Sequence, residues 1–110
     1  MRCTLGIDIG TSSSKAVLVG DDGEVLATAV AAHDVRRPHV GWVEMDGAVW
    51  WDECVRLCRE LLEGEPAADV RAVGVSGMGP CVLLADADDV PVRPAILYGV
   101  DTRSGAQIAR

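Results

Sequence analysis

The chain has 110 residues, the size of one small domain. Apolar residues make up 49% and charged residues 25%, a globular balance that excludes a disordered chain. Basic residues number 10 and acidic ones 17, for a net charge of −7. That balance argues against nucleic acid or an anionic membrane as partner, since both reward basic surfaces. No apolar run reaches the roughly 18 residues of a membrane span, and Asp8 follows the N-terminus too soon for a secretion signal. Cys3, Cys54, Cys58 and Cys81 are therefore expected as reduced thiols in a cytoplasmic protein. Their spacings match no zinc pattern, and His33 and His39 are not placed to complete one.

Thr4 to Ile9, Lys15 to Val19 and Glu24 to Ala32 are apolar runs rich in β-formers, with a turn at Asp21-Asp22-Gly23. They predict an antiparallel meander of three strands. Arg36 to Gly41, with Pro38, reads as an irregular connector. Asp46 to Leu62 is the clearest helix. Trp51, Cys54, Val55, Cys58, Leu61 and Leu62 form its apolar face, and Asp52, Glu53, Arg56, Arg59, Glu60 and Glu63 the opposite one. Asp46 is the expected N-cap and Gly64 the expected stop before Pro66. Val70 to Val75 predicts a fully buried strand. Cys81 to Ala85 and Val92 to Leu97 predict two short strands around Asp86-Ala87-Asp88-Asp89. A last helix is expected from Asp101, capped by Asp101 or Ser104. It reaches Arg110 without a stop signal, so we expect the chain to be the front piece of something longer.

The segment Asp8-Ile9-Gly10-Thr11-Ser12-Ser13-Ser14-Lys15 carries the most chemistry. Gly10 permits a tight turn and close approach by a ligand. The hydroxyls and backbone N–H groups of Thr11 to Ser14 form a candidate nest for phosphate oxygens, and Lys15 adds a point charge. A buried carboxylate at Asp8 would need a metal ion or N–H donors facing it. The turn joins two strands, so it is neither a Walker P-loop nor a dinucleotide fingerprint, both of which open a helix. The plain alternative is a polar hairpin turn with a solvated lysine.

This segment resembles the first phosphate motif of the actin/hexokinase/Hsp70 superfamily. Arg37-Pro38-His39, Trp42, Glu44, Asp46 and Trp50-Trp51 resemble the connector and first helix of FGGY carbohydrate kinases, xylulose kinases especially. Arg93-Pro94-Ala95-Ile96-Leu97-Tyr98, with Asp101 and Arg103, is similar to that family's sugar-side segment. The resemblance implies an α/β, ribonuclease H-like fold: three antiparallel strands, a helix and further strands. Residues 1–110 would then be an incomplete N-terminal, sugar-side domain of a two-domain kinase.

The resemblance also implies roles. ATP and Mg²⁺ are the expected cofactors, with Asp8 holding Mg²⁺ through water. Gly10, Thr11, Ser12 and Ser13 would line the loop for the transferred phosphoryl group, and Lys15 would reach the nucleotide phosphates. The substrate, a sugar or polyol, would sit against Gly77, Met78, Gly79 and Pro80 and against Asp101 and Arg103. A helix cap with a surface ion pair is the alternative for Asp101 and Arg103. Core packing at the connector–helix junction is the alternative for Trp42 and the expected role of Trp50 and Trp51. Xylulose kinases usually show Gln-Met-His-Gly after the buried strand. Met78-Gly79-Pro80-Cys81 here lacks that sugar-contacting His, which leaves the sugar or polyol unassigned. The family's general base is expected beyond Arg110, so the chain alone is not expected to phosphorylate. Other arrangements remain open: a non-catalytic phosphate-binding or interaction module, or a homodimer paired through an unfinished sheet edge.

Overall fold

The structure, a computed structural model, describes residues 1–97 and 99–110; Tyr98, which closes the Arg93 segment, lies outside them. Strands β1 (Arg2–Ile9), β2 (Ser13–Gly20) and β3 (Val25–Ala32) form the expected meander, with ends moved by a residue or two. Gly23 takes φ +86° in the tight turn before β3, a conformation that favours glycine. The chain then runs through the connector to a short strand, β4 (Glu44–Met45), and into helix α1 (Gly47–Gly64). Asp46 caps α1 as expected, accepting from the Ala48 N–H at 3.0 Å. Strand β5 (Asp69–Gly77) returns parallel to β1, giving a sheet of order β3-β2-β1-β5.

Strand alternation sorts the sheet into two faces. Cys3, Leu5 and Ile7 of β1, Ala16 and Leu18 of β2, and Ala29 and Ala31 of β3 are buried in one core with Leu57 and Leu61 of α1. Asp8, Lys15, Val30 and Ser76 share the other face, which no element among the described residues covers.

Two expectations fail here for one reason, the placement of α1. The helix lies across β2 and β3. Its buried residues include Glu53, Leu57 and Leu61, while Trp51 is 69% exposed and Leu62 also faces out. The inward face is therefore rotated by about one residue from the expected one, and Glu53 belongs to it. Trp50, not Trp51, packs at the connector junction. Strand β5 is not buried. It is an edge strand beyond the reach of α1, and Val73 and Val75 are 60% and 67% exposed.

The segment after β5 is also less regular than expected. Residues 81–97 fold back as a ragged hairpin held by isolated bridges, Val82 to Ile96 and Ala85 to Pro91. Proline offers no N–H, so Pro91 and Pro94 break the ladder. Only β6 (Ala95–Ile96) forms a strand, antiparallel to β4. A second core of Val43, Met45 and Leu97, joined by Trp50, Met78 and Cys81, packs around this small sheet. The last helix, α2 (Gly105–Ile108), is one short turn starting after Ser104. Asp101 does not cap it.

Candidate functional site: a phosphate turn beside a small sheet

The turn between β1 and β2 closes where the Gly10 N–H donates to the Ser13 carbonyl at 2.8 Å. A Cβ on Gly10 would stand 3.0 Å from that same oxygen, a tight contact that glycine avoids. Thr11 and Ser12 lie exposed at its tip, and their N–H groups have no partner among the described residues. Of the four residues expected to form the nest, Thr11 and Ser12 stand at the tip, while Ser13 and Ser14 belong to β2 and Ser14 is buried.

Asp8 stands on the open face at the end of β1. It is exposed, not buried, because alternation sends Leu5 and Ile7 inward and Asp8 outward. Its Oδ1 accepts from the Ser76 hydroxyl at 2.8 Å. Lys15 is its register partner on β2, on the same face. Asp8, Lys15 and Ser76 line a broad hollow of about 750 Å³ floored by Gly6, Val17 and Gly74. Lys15 therefore joins Asp8 on the sheet and does not sit in the turn itself.

Gly77 and Met78 come directly alongside. Gly77 pairs with Ile9, the Met78 N–H donates to the Ile9 carbonyl at 3.0 Å, and Thr11 Oγ1 donates to Met78 Sδ at 3.5 Å. Met78 also packs into the second core. It is the hinge point between the phosphate turn and the small sheet. Gly79 and Pro80 follow on the surface, joined by a cis peptide bond.

Asp101 and Arg103 sit at the far side of that second core. The Asp101 side chain is 3% exposed. Its Oδ2 accepts from the Val43 N–H at 2.6 Å, and Arg103 grips both carboxylate oxygens at 2.7–3.0 Å. The Arg103 hydrogen bonds, with that of Val43, hold the Asp101 carboxyl far below the usual carboxylate range against the opposing effect of burial. The same partnership raises Arg103. Arg103 also reaches Glu44 at 3.5 Å and lies 4.1 Å over the Trp42 ring. Arg93 binds Glu44 from its other side at 3.1 Å. The pair is thus a built-in network that ties residues 101–103 to the connector, not a surface ion pair. Arg103 Nη1 is left without a partner among the described residues.

A group the sequence did not single out lies behind the turn. Glu53 is buried and accepts from the Ser14 hydroxyl at 2.5 Å. His33 Nδ1 meets Glu53 Oε2 at 2.9 Å, and its Nε2 meets the Gly10 carbonyl at 2.8 Å. One signal was legible: Glu53 falls on the spiral of Trp50, Leu57 and Leu61. The cysteines carry no such role. No disulfide joins the four, Cys54 and Cys58 pack on the main core, and burial, with Cys54 adjacent, raises the Cys58 thiol. No group of three or more metal-ligating side chains occurs among the described residues.

Comparison with known proteins places the chain in a family. The model of the N-terminal domain of the FGGY family of carbohydrate kinases matches residues 3–109. The chain belongs to that family. It is 38% identical over 94 residues to the xylulose kinase of Escherichia coli K12, covering 86% of this chain and 19% of that protein. It is 34% identical over 97 residues to glycerol kinase 1 of Pseudomonas aeruginosa, covering 86% and 20%. The crystal structure of xylulose kinase from Rhodospirillum rubrum superposes with a TM-score of 0.91 at 37% identity, over 98% of this chain and 22% of that one. The α/β fold expected from the sequence is therefore the observed one, and the chain spans about a fifth of the length of these relatives.

Proposed function

We propose that this chain opens the N-terminal domain of an ATP-dependent carbohydrate kinase that phosphorylates a hydroxyl group of a sugar or polyol. The observation that carries the proposal is the glycine-closed turn, with free N–H groups at Thr11 and Ser12, beside Asp8 and Met78. Phosphoryl transfer asks a protein mainly for positioning and for neutralisation of spreading negative charge. Backbone donors at the turn receive phosphoryl oxygens. Lys15 supplies the cation on the adjoining face.

Asp8 fits Mg²⁺ in one specific way. One of its oxygens is engaged by Ser76, and no second carboxylate joins it as part of a ligand cluster among the described residues. A single exposed carboxylate suits an ion that keeps most of its waters and takes its remaining ligands from phosphates. When bound, that ion neutralises charge on the nucleotide.

Substrate placement follows from the second core. Gly77 and Met78 line the space next to the turn, Gly79 follows them on the surface, and Arg103 Nη1 offers a donor for a hydroxyl. Asp101 acts by aiming Arg103, since both of its oxygens are already engaged. A general base and the adenosine pocket are assigned to segments outside residues 1–110, in a cytoplasmic protein. The test is a coupled ADP-release assay of the intact protein against a panel of pentuloses, hexoses and polyols. Turnover with at least one, abolished by Asp8→Ala, supports the proposal. Binding of ATP·Mg²⁺ that is indifferent to Asp8→Ala refutes the phosphate site.

A further inference from the structure

We propose that His33 is a positioning residue for the phosphate turn: clamped between Glu53 and Gly10, it fixes the peptide plane that presents the Thr11 N–H. The use of that N–H for phosphate rests on the kinase proposal; the clamp itself does not.

The clamp joins four parts of the fold. Ser14 is the second residue of β2, His33 follows the end of β3, Glu53 lies on the inner face of α1, and Gly10 is in the turn. The His33 and Glu53 side chains are both more than nine-tenths buried. Hydrogen placement follows from the partners. A carbonyl only accepts, so His33 Nε2 carries the hydrogen that meets Gly10 at 2.8 Å. The 2.5 Å contact from Ser14 to Glu53 has the length of a hydroxyl donating to a carboxylate. His33 Nδ1 faces Glu53 Oε2 at 2.9 Å, which completes the clamp on the Glu53 side. Every buried side-chain polar atom in this arrangement has a partner.

The consequence for the turn comes from peptide planarity. In a trans peptide the carbonyl of one residue and the N–H of the next point in opposite directions. Pulling the Gly10 carbonyl back onto His33 therefore turns the Thr11 N–H outward. The His33 backbone acts in the same way one step on, since its own N–H donates to the Ser12 carbonyl at 2.9 Å. One residue thus holds both carbonyls that bracket the exposed tip. Without the ring contact, the Gly10–Thr11 plane is free to rotate and its donor loses its aim.

Two substitutions separate the clamp from a merely structural ion pair. An asparagine amide occupies the place of Nδ1 and keeps only the Glu53 side; a glutamine amide reaches the place of Nε2 and keeps the Gly10 side. In the intact protein, His33→Asn is expected to speed amide exchange at Gly10 about tenfold or more while Leu18, in mid-strand β2, keeps its rate. His33→Gln should leave Gly10 within about threefold of the wild type. The Michaelis constant for ATP should rise about tenfold with asparagine and little with glutamine, with that for the sugar unchanged. Glutamine disturbing Gly10 as much as asparagine does overturns the proposal. So does parallel acceleration at Gly10 and Leu18, which marks global loosening. Should the asparagine variant not fold, ¹⁵N spectra of the wild-type ring decide: a bare Nε2 overturns the proposal, and a hydrogen there supports it. A wild-type protein inactive on every sugar refutes the kinase proposal alone, because the exchange pattern is read without turnover.

Discussion

Leu57 is fully enclosed on the inner face of α1, with 0% exposure, while Trp51 two turns earlier is 69% exposed. Replacing Leu57 by alanine deletes three carbons from the main core. Transfer alone costs about 0.8 kcal/mol for each, or about 2.4 kcal/mol together. The surrounding Leu5, Leu18 and Leu61 are held by the sheet and the helix, so they fill the gap only in part. The cavity brings the expected loss to about 3–5 kcal/mol. Trp51→Ala removes a much larger side chain, but one that leaves water only slightly on folding. It should cost about 0.5 kcal/mol or less. Urea denaturation of both variants beside the wild type, with equal m-values, measures the contrast. A Trp51→Ala loss equal to or larger than that of Leu57→Ala would refute the placement of the helix and restore the face drawn from periodicity.

Three further outcomes follow from the site. Gly10→Ala sets a methyl 3.0 Å from the Ser13 carbonyl, so the turn must open; nucleotide affinity, read by calorimetry, should fall about tenfold, the equivalent of about 1.4 kcal/mol of strain. Asp8→Ala lies on an exposed face and should shift stability by no more than about 0.5 kcal/mol, while abolishing measurable ATP·Mg²⁺ binding; a matching loss of stability would mean Asp8 is structural. Asp101 titrates far below its ordinary value of 3.8 in the folded state, chiefly because Arg103 donates to it. A depressed folded value means stability that is present above the unfolded value and lost as pH falls through the folded one. Asp101→Asn should therefore be less stable at pH 7 and lose less on acidification below about pH 4 than the wild type; parallel pH curves would remove Asp101 from the network.

What the sequence revealed, and what it hid, divides along one physical line. Local signals were legible because short-range rules set them: the three-strand meander, the Asp46 cap and the glycine turn each depend on neighbouring residues. The donors of the proposed phosphate turn were legible for the same reason, since they are backbone groups within a few residues. The misplaced features all depend on what covers what. Val70 to Val75 has the composition of a buried strand, yet α1 lies mainly on β2 and β3, so Val73 and Val75 of β5 remain open. Glu53 is the reverse case. A charged residue on an apolar spiral was assigned to water, because burying it unpaired is prohibitive. It is buried because His33 and Ser14, far from it in sequence, arrive to satisfy it. Such a pair contributes little net stability over apolar packing of the same volume. Its effect here lies in the third contact, from His33 to the Gly10 carbonyl, which carries the rigidity of the core out to the turn we propose receives phosphate oxygens.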